Sequence, residues 1–281
     1  MANLVEVFED SMNWIAENSE LKKFTEYSVS HTELYPEGKT PEIPENLPEF
    51  QTKMEVLPQK SFETAIQLRK QYPGARIAVH NFASATNPGG GVTNGSRAQE
   101  ESLCRCSNLY PCLNQGWLKQ DYYLFHRNRH DLRYTDACIW SPDVMIFKTD
   151  TSLPERMPQA DWCKVDILTC AAPNLRRKPY NAMNPGKGGS ALQLIDQELG
   201  KLHYKRAKHL LSVALAHHVE ILVLGAFGCG AFQNNPYVVA QAYRKVLNEL
   251  EFKNKFCHIT FAVYTTPRDR ENFKAFEKYF S

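Results

Sequence analysis

Two adjacent carboxylates, Glu100 and Glu101, stand just beyond three successive glycines, Gly89, Gly90 and Gly91. The full segment reads Asn81-Phe82-Ala83-Ser84-Ala85-Thr86-Asn87-Pro88-Gly89-Gly90-Gly91-Val92-Thr93-Asn94-Gly95-Ser96-Arg97-Ala98-Gln99-Glu100-Glu101. Without Cβ atoms the glycines let backbone amides approach a ligand closely, a diphosphate or a ribose being the natural occupant. Carboxylates held beside such a loop suit general acid and base work. Neighbouring helix positions point about 100° apart, so the pair does not read as the opposed carboxylates of an ordinary glycosidase, and the two roles should differ. The positive end of a helix favours ionised carboxylates, whereas burial or a like-charged neighbour holds a proton on one of them; these influences compete here.

A second loop, Gly225-Ala226-Phe227-Gly228-Cys229-Gly230-Ala231-Phe232-Gln233-Asn234-Asn235-Pro236, follows an apolar run and leads into another helix. Backbone donors at the carboxyl end of a buried strand could cradle phosphate; a tight strand-to-helix connection is the competing reading, since the Gly-Lys-Ser ending of a nucleotide P-loop is missing. Phe232 is a candidate apolar wall for ribose or adenine, although an aromatic at such a junction is more often core. Cys229 has no histidine in a diagnostic local arrangement and does not read as a nucleophile. His217 and His218 read as a helix end rather than a metal pair. Cys104, Cys106 and Cys112 lack the paired spacing and nearby histidines of a zinc site, and no metal is expected.

The elements that must carry these residues can be read from periodicity. Leu4, Val7, Phe8, Met12 and Ile15 form a helical stripe, and Tyr35 to Pro48 is a proline-rich exposed loop, so residues 1–50 read as an N-terminal extension and 51–281 as the catalytic unit. Strands are expected at Lys53–Leu57, Arg76–Ala83, Val165–Ala171, Ile221–Gly225 and Ile259–Tyr264. Helices are expected at Ser61–Gln71, Ala191–His217 with an interruption near Gly200, Pro236–Leu250 and Arg268–Tyr279. Ser96 with Gln99 has capping-box spacing, which starts a helix whose first turn holds Glu100 and Glu101. Strands alternating with helices predict a three-layer α/β/α fold around a mixed, largely parallel sheet. The loop Pro173–Gly189, with Arg176, Arg177, Lys178 and Lys187, is the main basic interruption and reads most simply as solvated.

Bulk properties narrow the class. The chain has 281 residues, 43% hydrophobic and 23% charged, enough apolar material for a substantial core. A formal net charge of +2 is too balanced to mark a polyanion binder by charge alone. The acidic N-terminus does not resemble a secretory signal, and no run has the length of a membrane span. With eight cysteines, reduced thiols and an intracellular location, cytoplasmic or nuclear, are expected.

The triple glycine followed after a short spacer by Gln99-Glu100-Glu101 resembles the signature of the poly(ADP-ribose) glycohydrolase family. Its microbial-type branch in particular is similar: an Asn-Phe-Ala strand end, an Asn-Pro-Gly-Gly-Gly loop, and continuations like Ser102-Leu103-Cys104-Arg105 and Leu109-Tyr110-Pro111-Cys112-Leu113. Tyr134-Thr135-Asp136, Trp140-Ser141-Pro142-Asp143-Val144 and Ala171-Ala172-Pro173-Asn174 occur in family order, so the resemblance covers Lys53 to the C-terminus. Asn235 departs from the family by standing where an Asp is usual; a helix-capping role would survive that exchange, a charge role would not.

The resemblance implies a macrodomain fold and hydrolysis of an ADP-ribose unit linked through its anomeric carbon, as in poly(ADP-ribose), without metal or cofactor. It implies Glu101 as the acid and then base, with Gln99 and Glu100 positioning the scissile linkage. Asn81 would contact the distal ribose, and Asn87, Gly89, Gly90, Gly91 and Val92, with Ala226, Phe227, Gly228, Cys229, Gly230, Ala231 and Phe232, would hold diphosphate and ribose. The expected partners are poly(ADP-ribose) or an ADP-ribosylated macromolecule as substrate and ADP-ribose as product, with no membrane, acting as a monomer. A mono-ADP-ribosyl hydrolase and a non-catalytic ADP-ribose reader are the alternatives; a reader has no need of paired carboxylates.

Overall fold

The computed structural model describes residues 3–179, 191–267 and 269–281. Among them seven strands form one sheet: β1 (Glu33–Tyr35), β2 (Lys53–Leu57), β3 (Ile77–Phe82), β4 (Cys138–Ile146), β5 (Cys163–Cys170), β6 (Ile221–Leu224) and β7 (His258–Ala262), in the order β1-β4-β5-β3-β6-β7-β2. From β5 to β2 neighbouring strands are parallel; β4 and β1 are added antiparallel at one edge. Val79 of β3 stands between Ile167 and Val223 on one face of the sheet, and the adjoining Ala78 packs beside Leu222 in the core on the other, as a sheet covered on both sides requires.

The ten described helices are α1 (Leu4–Glu17), α2 (Ser19–Ser30), α3 (Ser61–Gln71), α4 (Gln99–Cys106), α5 (Leu109–Leu113), α6 (Gly116–Leu118), α7 (Phe125–Arg129), α8 (Asp196–Ala216), α9 (Pro236–Leu247) and α10 (Glu271–Phe280). Phe8 of α1, Phe62 and Leu68 of α3 and Leu103 of α4 pack with Val79, Ile167 and Val223 on one face. Leu211 of α8, Tyr243 of α9 and Phe276 of α10 pack with Leu168, Leu222 and Phe261 on the other. The molecule is thus the expected three-layer α/β/α fold with a mixed, mostly parallel sheet.

Element boundaries differ from expectation for local reasons. Helix α8 begins at Asp196, not Ala191, and runs unbroken through Gly200, where a Cβ would stand 3.6 Å from Val238 of α9, so the glycine serves close helix packing instead of a break. Helix α9 ends at Leu247 and α10 begins at Glu271. Arg268, expected to open the last helix, and Lys187 of the basic loop lie outside the described residues. Helices α2, α5, α6 and α7 and strands β1 and β4 were not expected. The buried face of α2 is Leu21, Thr25 and Ser28, two of them polar, so hydrophobic periodicity does not mark it. Ser28 donates to the Asp143 carbonyl and Thr25 Oγ1 accepts from Asn108, which satisfies those hydroxyls in the interior.

The N-terminal helices are joined to the body by polar as well as apolar contacts. Ser11 Oγ donates to the Arg105 carbonyl at 2.6 Å, and the buried Lys148 Nζ reaches both the Val7 carbonyl and Asp10 at 2.7 Å. No described helix is long and apolar enough to cross a membrane.

Candidate active site

The parallel strands deliver their following loops to one end of the sheet, where β3 runs into Ala83, β5 into Ala171, β6 into Gly225 and β7 into Val263. A cavity of about 590 Å³ opens there. Asn87, Gly90, Gly91, Gln99, Glu100, Glu101, Ala226, Phe227, Gly228, Gly230, Ala231 and Phe232 line it. Asn81, Gly89, Val92 and Cys229 are not part of its wall.

The two carboxylates occupy the first turn of α4, and although adjacent in sequence they converge on Gly90. A Cβ built there would meet Glu101 Oε1 at 2.5 Å and Glu100 Oε2 at 3.0 Å, and φ is +59°, so glycine is required twice over. Glu100 Oε2 accepts from the Ser84 N–H at 2.7 Å, and Oε1 accepts from Asn81 Nδ2 at 3.4 Å. Glu101 Oε1 accepts from the Gly91 N–H at 2.8 Å, while its buried Oε2 has no protein partner. Burial first, and the Glu101 charge second, push the Glu100 carboxyl well above the usual carboxylate range, against the hydrogen bonds from Ser84, Asn81 and Gly89. Between the helix end and burial, burial dominates at Glu100.

Three expectations about this loop change. Ser96 does not cap α4: the cap position is Ala98 with no side-chain bond, and the Ser96 carbonyl instead accepts from Arg105 at 2.6 Å. Gln99 does not close a capping box. Its Oε1 accepts from the Phe82 N–H at 2.9 Å and its Nε2 donates to the His80 carbonyl and Ser61 Oγ, which pins the first turn of α4 to β3 and α3. The amides of Gly90, Gly91 and Val92 are spent within the protein, on the Asn87 carbonyl, Glu101 and the Gly89 carbonyl, so the triple glycine chiefly seats the carboxylates. Asn81, with its side chain turned under α4 to Glu100 and Thr169, stands behind Glu100 instead of on the cavity surface.

The second loop behaves differently. The N–H groups of Ala226, Gly228, Gly230, Ala231 and Phe232, all cavity residues, have no protein acceptor among the described residues. Successive unpaired amides around a concavity make an anion-binding nest. Cys229 turns away, its thiol against the Phe227 carbonyl at 3.6 Å and pushed up by burial, which suits packing and not nucleophilic chemistry. Asn235 is the N-cap of α9: Oδ1 accepts from the Tyr237 N–H at 3.1 Å, and Nδ2 donates to both oxygens of Asp196 at 3.3 Å. His217 ends α8, stacks on Trp140 at 4.2 Å and hydrogen-bonds Tyr35 at 2.8 Å.

Several residues at the site carried little or no signal in the sequence. Arg176 leaves the basic loop to lie over the Phe232 ring at 5.2 Å, while Arg177 and Lys178 are exposed. Tyr134 flanks the same ring from another loop, with centroids 6.2 Å apart and φ of +54°. Arg127, distant in sequence, holds the Thr86 carbonyl and Asn87 Oδ1. The buried carboxylate pair and the second loop's unpaired amides thus border one concave pocket at the carboxyl end of a parallel α/β sheet, the usual place for a ligand in such a fold.

Residues 6–149 match the microbial-type PARG catalytic domain, PARG being poly(ADP-ribose) glycohydrolase, and the chain belongs to that family. Poly(ADP-ribose) glycohydrolase from Thermomonospora curvata, solved with the inhibitor ADP-HPD, is 28% identical with a TM-score of 0.79 over 99% of each chain. The enzyme from Deinococcus radiodurans, solved in complex with ADP-ribose, is 33% identical with a TM-score of 0.71 over 90% of this chain and 95% of that one. Among curated proteins no sequence gives a significant match. The match begins at residue 6, so α1, which the sequence resemblance left aside, falls within the family's catalytic domain.

Proposed function

We propose that the protein hydrolyses the O-glycosidic ribose linkage of poly(ADP-ribose) and releases ADP-ribose. The observation that carries this reading is Glu101 Oε2, a buried carboxylate oxygen with no protein partner, in the same cavity as the unpaired amides of the second loop. The diphosphate of an ADP-ribose unit is received by the amides of Ala226, Gly228, Gly230, Ala231 and Phe232, with Phe232 and Phe227 as apolar walls. Its distal ribose then lies toward Glu100 and Glu101.

Burial and the Glu101 charge raise the pKa of Glu100, so the pair favours holding one proton between them, and that proton passes to Glu101 for the chemical step. Glu101 delivers a proton to the leaving oxygen as the C–O bond breaks and the ribose takes on oxocarbenium character. A water then adds its oxygen to the anomeric carbon and returns a proton to Glu101. Gln99 serves by fixing the turn that carries both carboxylates, and Asn81 by supporting Glu100 from behind.

The test is release of free ADP-ribose from poly(ADP-ribose) and from mono-ADP-ribosylated protein by the wild type and by Glu101→Gln. Release from polymer should fall about a hundredfold or more in the variant, with ADP-ribose still bound. Unchanged release by Glu101→Gln sinks the mechanism. Tight ADP-ribose binding without release from any linkage by the wild type would make the protein a reader, and release from mono-modified protein alone would move the substrate to that class.

A further inference from the structure

Asn234 lies at the end of the second loop, is 2% exposed, and is not part of the cavity wall. Its Nδ2 donates to the Pro173 carbonyl at 2.8 Å and to the Gly228 and Phe232 carbonyls at 3.1 Å each, while its backbone N–H donates to the Gly228 carbonyl at 3.0 Å. Three carbonyl acceptors around one amide fix which end of the side chain is nitrogen. Its Oδ1 must then accept, and His203 Nε2 stands 2.7 Å away. His203 on α8 is fully enclosed, and burial drives its pKa down to about 3, so the ring is neutral with its hydrogen on Nε2.

These bonds engage the Gly228 and Phe232 carbonyls of the loop with a residue outside the cavity wall, while the N–H groups of Ala226, Gly228, Gly230, Ala231 and Phe232 stay without a protein acceptor among the described residues. The packing tolerates little else: a Cβ at Gly228 would stand 2.5 Å from Ala172 and 3.0 Å from Asn234 Nδ2, at a φ of +76°. Pro173 belongs to the loop after β5, so the same amide ties two cavity loops together. One turn further along α8, Arg206 donates to the Ala171 carbonyl at 2.9 Å and to the Arg133 carbonyl next to Tyr134.

We propose that Asn234, oriented by His203, is the positioning residue that holds the second loop in its anion-receiving shape, so that it governs substrate affinity without touching substrate. The inference rests on the ADP-ribose reading above. Asn234→Asp keeps the volume but replaces the donating amide with an oxygen facing three carbonyls. His203→Gln keeps a donor where Nε2 stands, and His203→Leu removes it.

Calorimetric titration with ADP-ribose, together with KM and kcat on poly(ADP-ribose), decides the matter. Asn234→Asp and His203→Leu should weaken ADP-ribose binding by about tenfold or more and raise KM with little change in kcat, and His203→Gln should stay within about twofold of wild type, since preorganised donors act on binding. Asn234→Asp binding as tightly as the wild type overturns the proposal. A loss confined to kcat in proportion to the folded fraction, with KM unchanged, also overturns it, because that is the mark of a merely structural role. If Asn234→Asp does not fold, the two His203 variants decide: equal affinities sink the idea. A wild type that neither binds nor releases ADP-ribose removes the underlying reading, and the proposal with it.

Discussion

At the scale of single residues, burial sets apart two carboxylates that line the same cavity, since Glu100 is the one made harder to ionise. Glu100 has its pKa raised by burial and by Glu101, so the folded chain holds a proton that the unfolded chain gives up once the pH passes the ordinary value of 4.5. The unfolded state then binds fewer protons, and this group's contribution to stability falls as pH rises. Glu100→Gln carries no such titration. The melting temperature of Glu100→Gln relative to wild type should therefore climb between about pH 5 and pH 7 and level off below about pH 4. A difference independent of pH would show that Glu100 ionises as freely folded as unfolded.

At the scale of elements, α9 and α8 meet at their amino ends through Asn235 and Asp196. The amide at 235 performs two tasks, accepting from the Tyr237 N–H and donating to Asp196, and an Asp performs only the first. Asn235→Asp is expected to lower the melting temperature at low salt by setting two carboxylates against each other, and the loss should shrink at about 0.5 M salt. Adding Asp196→Asn to that variant should restore it. Equal melting of wild type and Asn235→Asp at low ionic strength would show that the pair is not coupled. The departure from the family's usual Asp thus has a local structural partner, and the capping role of this position is the one its geometry displays.

At the scale of the whole molecule, the first 50 residues supply two helices and the edge strand β1 to the body. Removing them would strip β1 from β4, take Asp10 and Val7 from Lys148, and uncover Met145 and Phe147, which pack against Ile15 and Leu21. Leu4 also lines the cavity. A chain beginning at residue 51 is expected to aggregate or melt far below the full chain, because it presents an open strand edge and bare apolar surface. Cooperative melting of that shortened chain within a few degrees of the full one, followed by circular dichroism, would show that the extension is dispensable.

The sequence by itself determined the fold class and the pairing of a glycine loop with two adjacent carboxylates. Five strands and most helices are legible because the strands are short runs rich in β-formers such as Val, Ile, Thr and Phe, and helices repeat with their own period. The carboxylates are legible because they follow a glycine loop closely in the chain. Helix α2 stayed hidden because its buried face is partly hydroxyls, whose partners at Asn108 and Asp143 come from distant segments. Tertiary structure alone decided how the two glycine loops divide their labour. Which amides are spent on Glu101 and which remain free depends on where distant chains place acceptors, and hydrogen-bond direction leaves no periodic trace in sequence. The same holds for Glu100 and Glu101: their order in the chain suggests a pair, but burial and the convergence on Gly90 decide that Glu100 is the harder to ionise and that Glu101 keeps an oxygen without a protein partner.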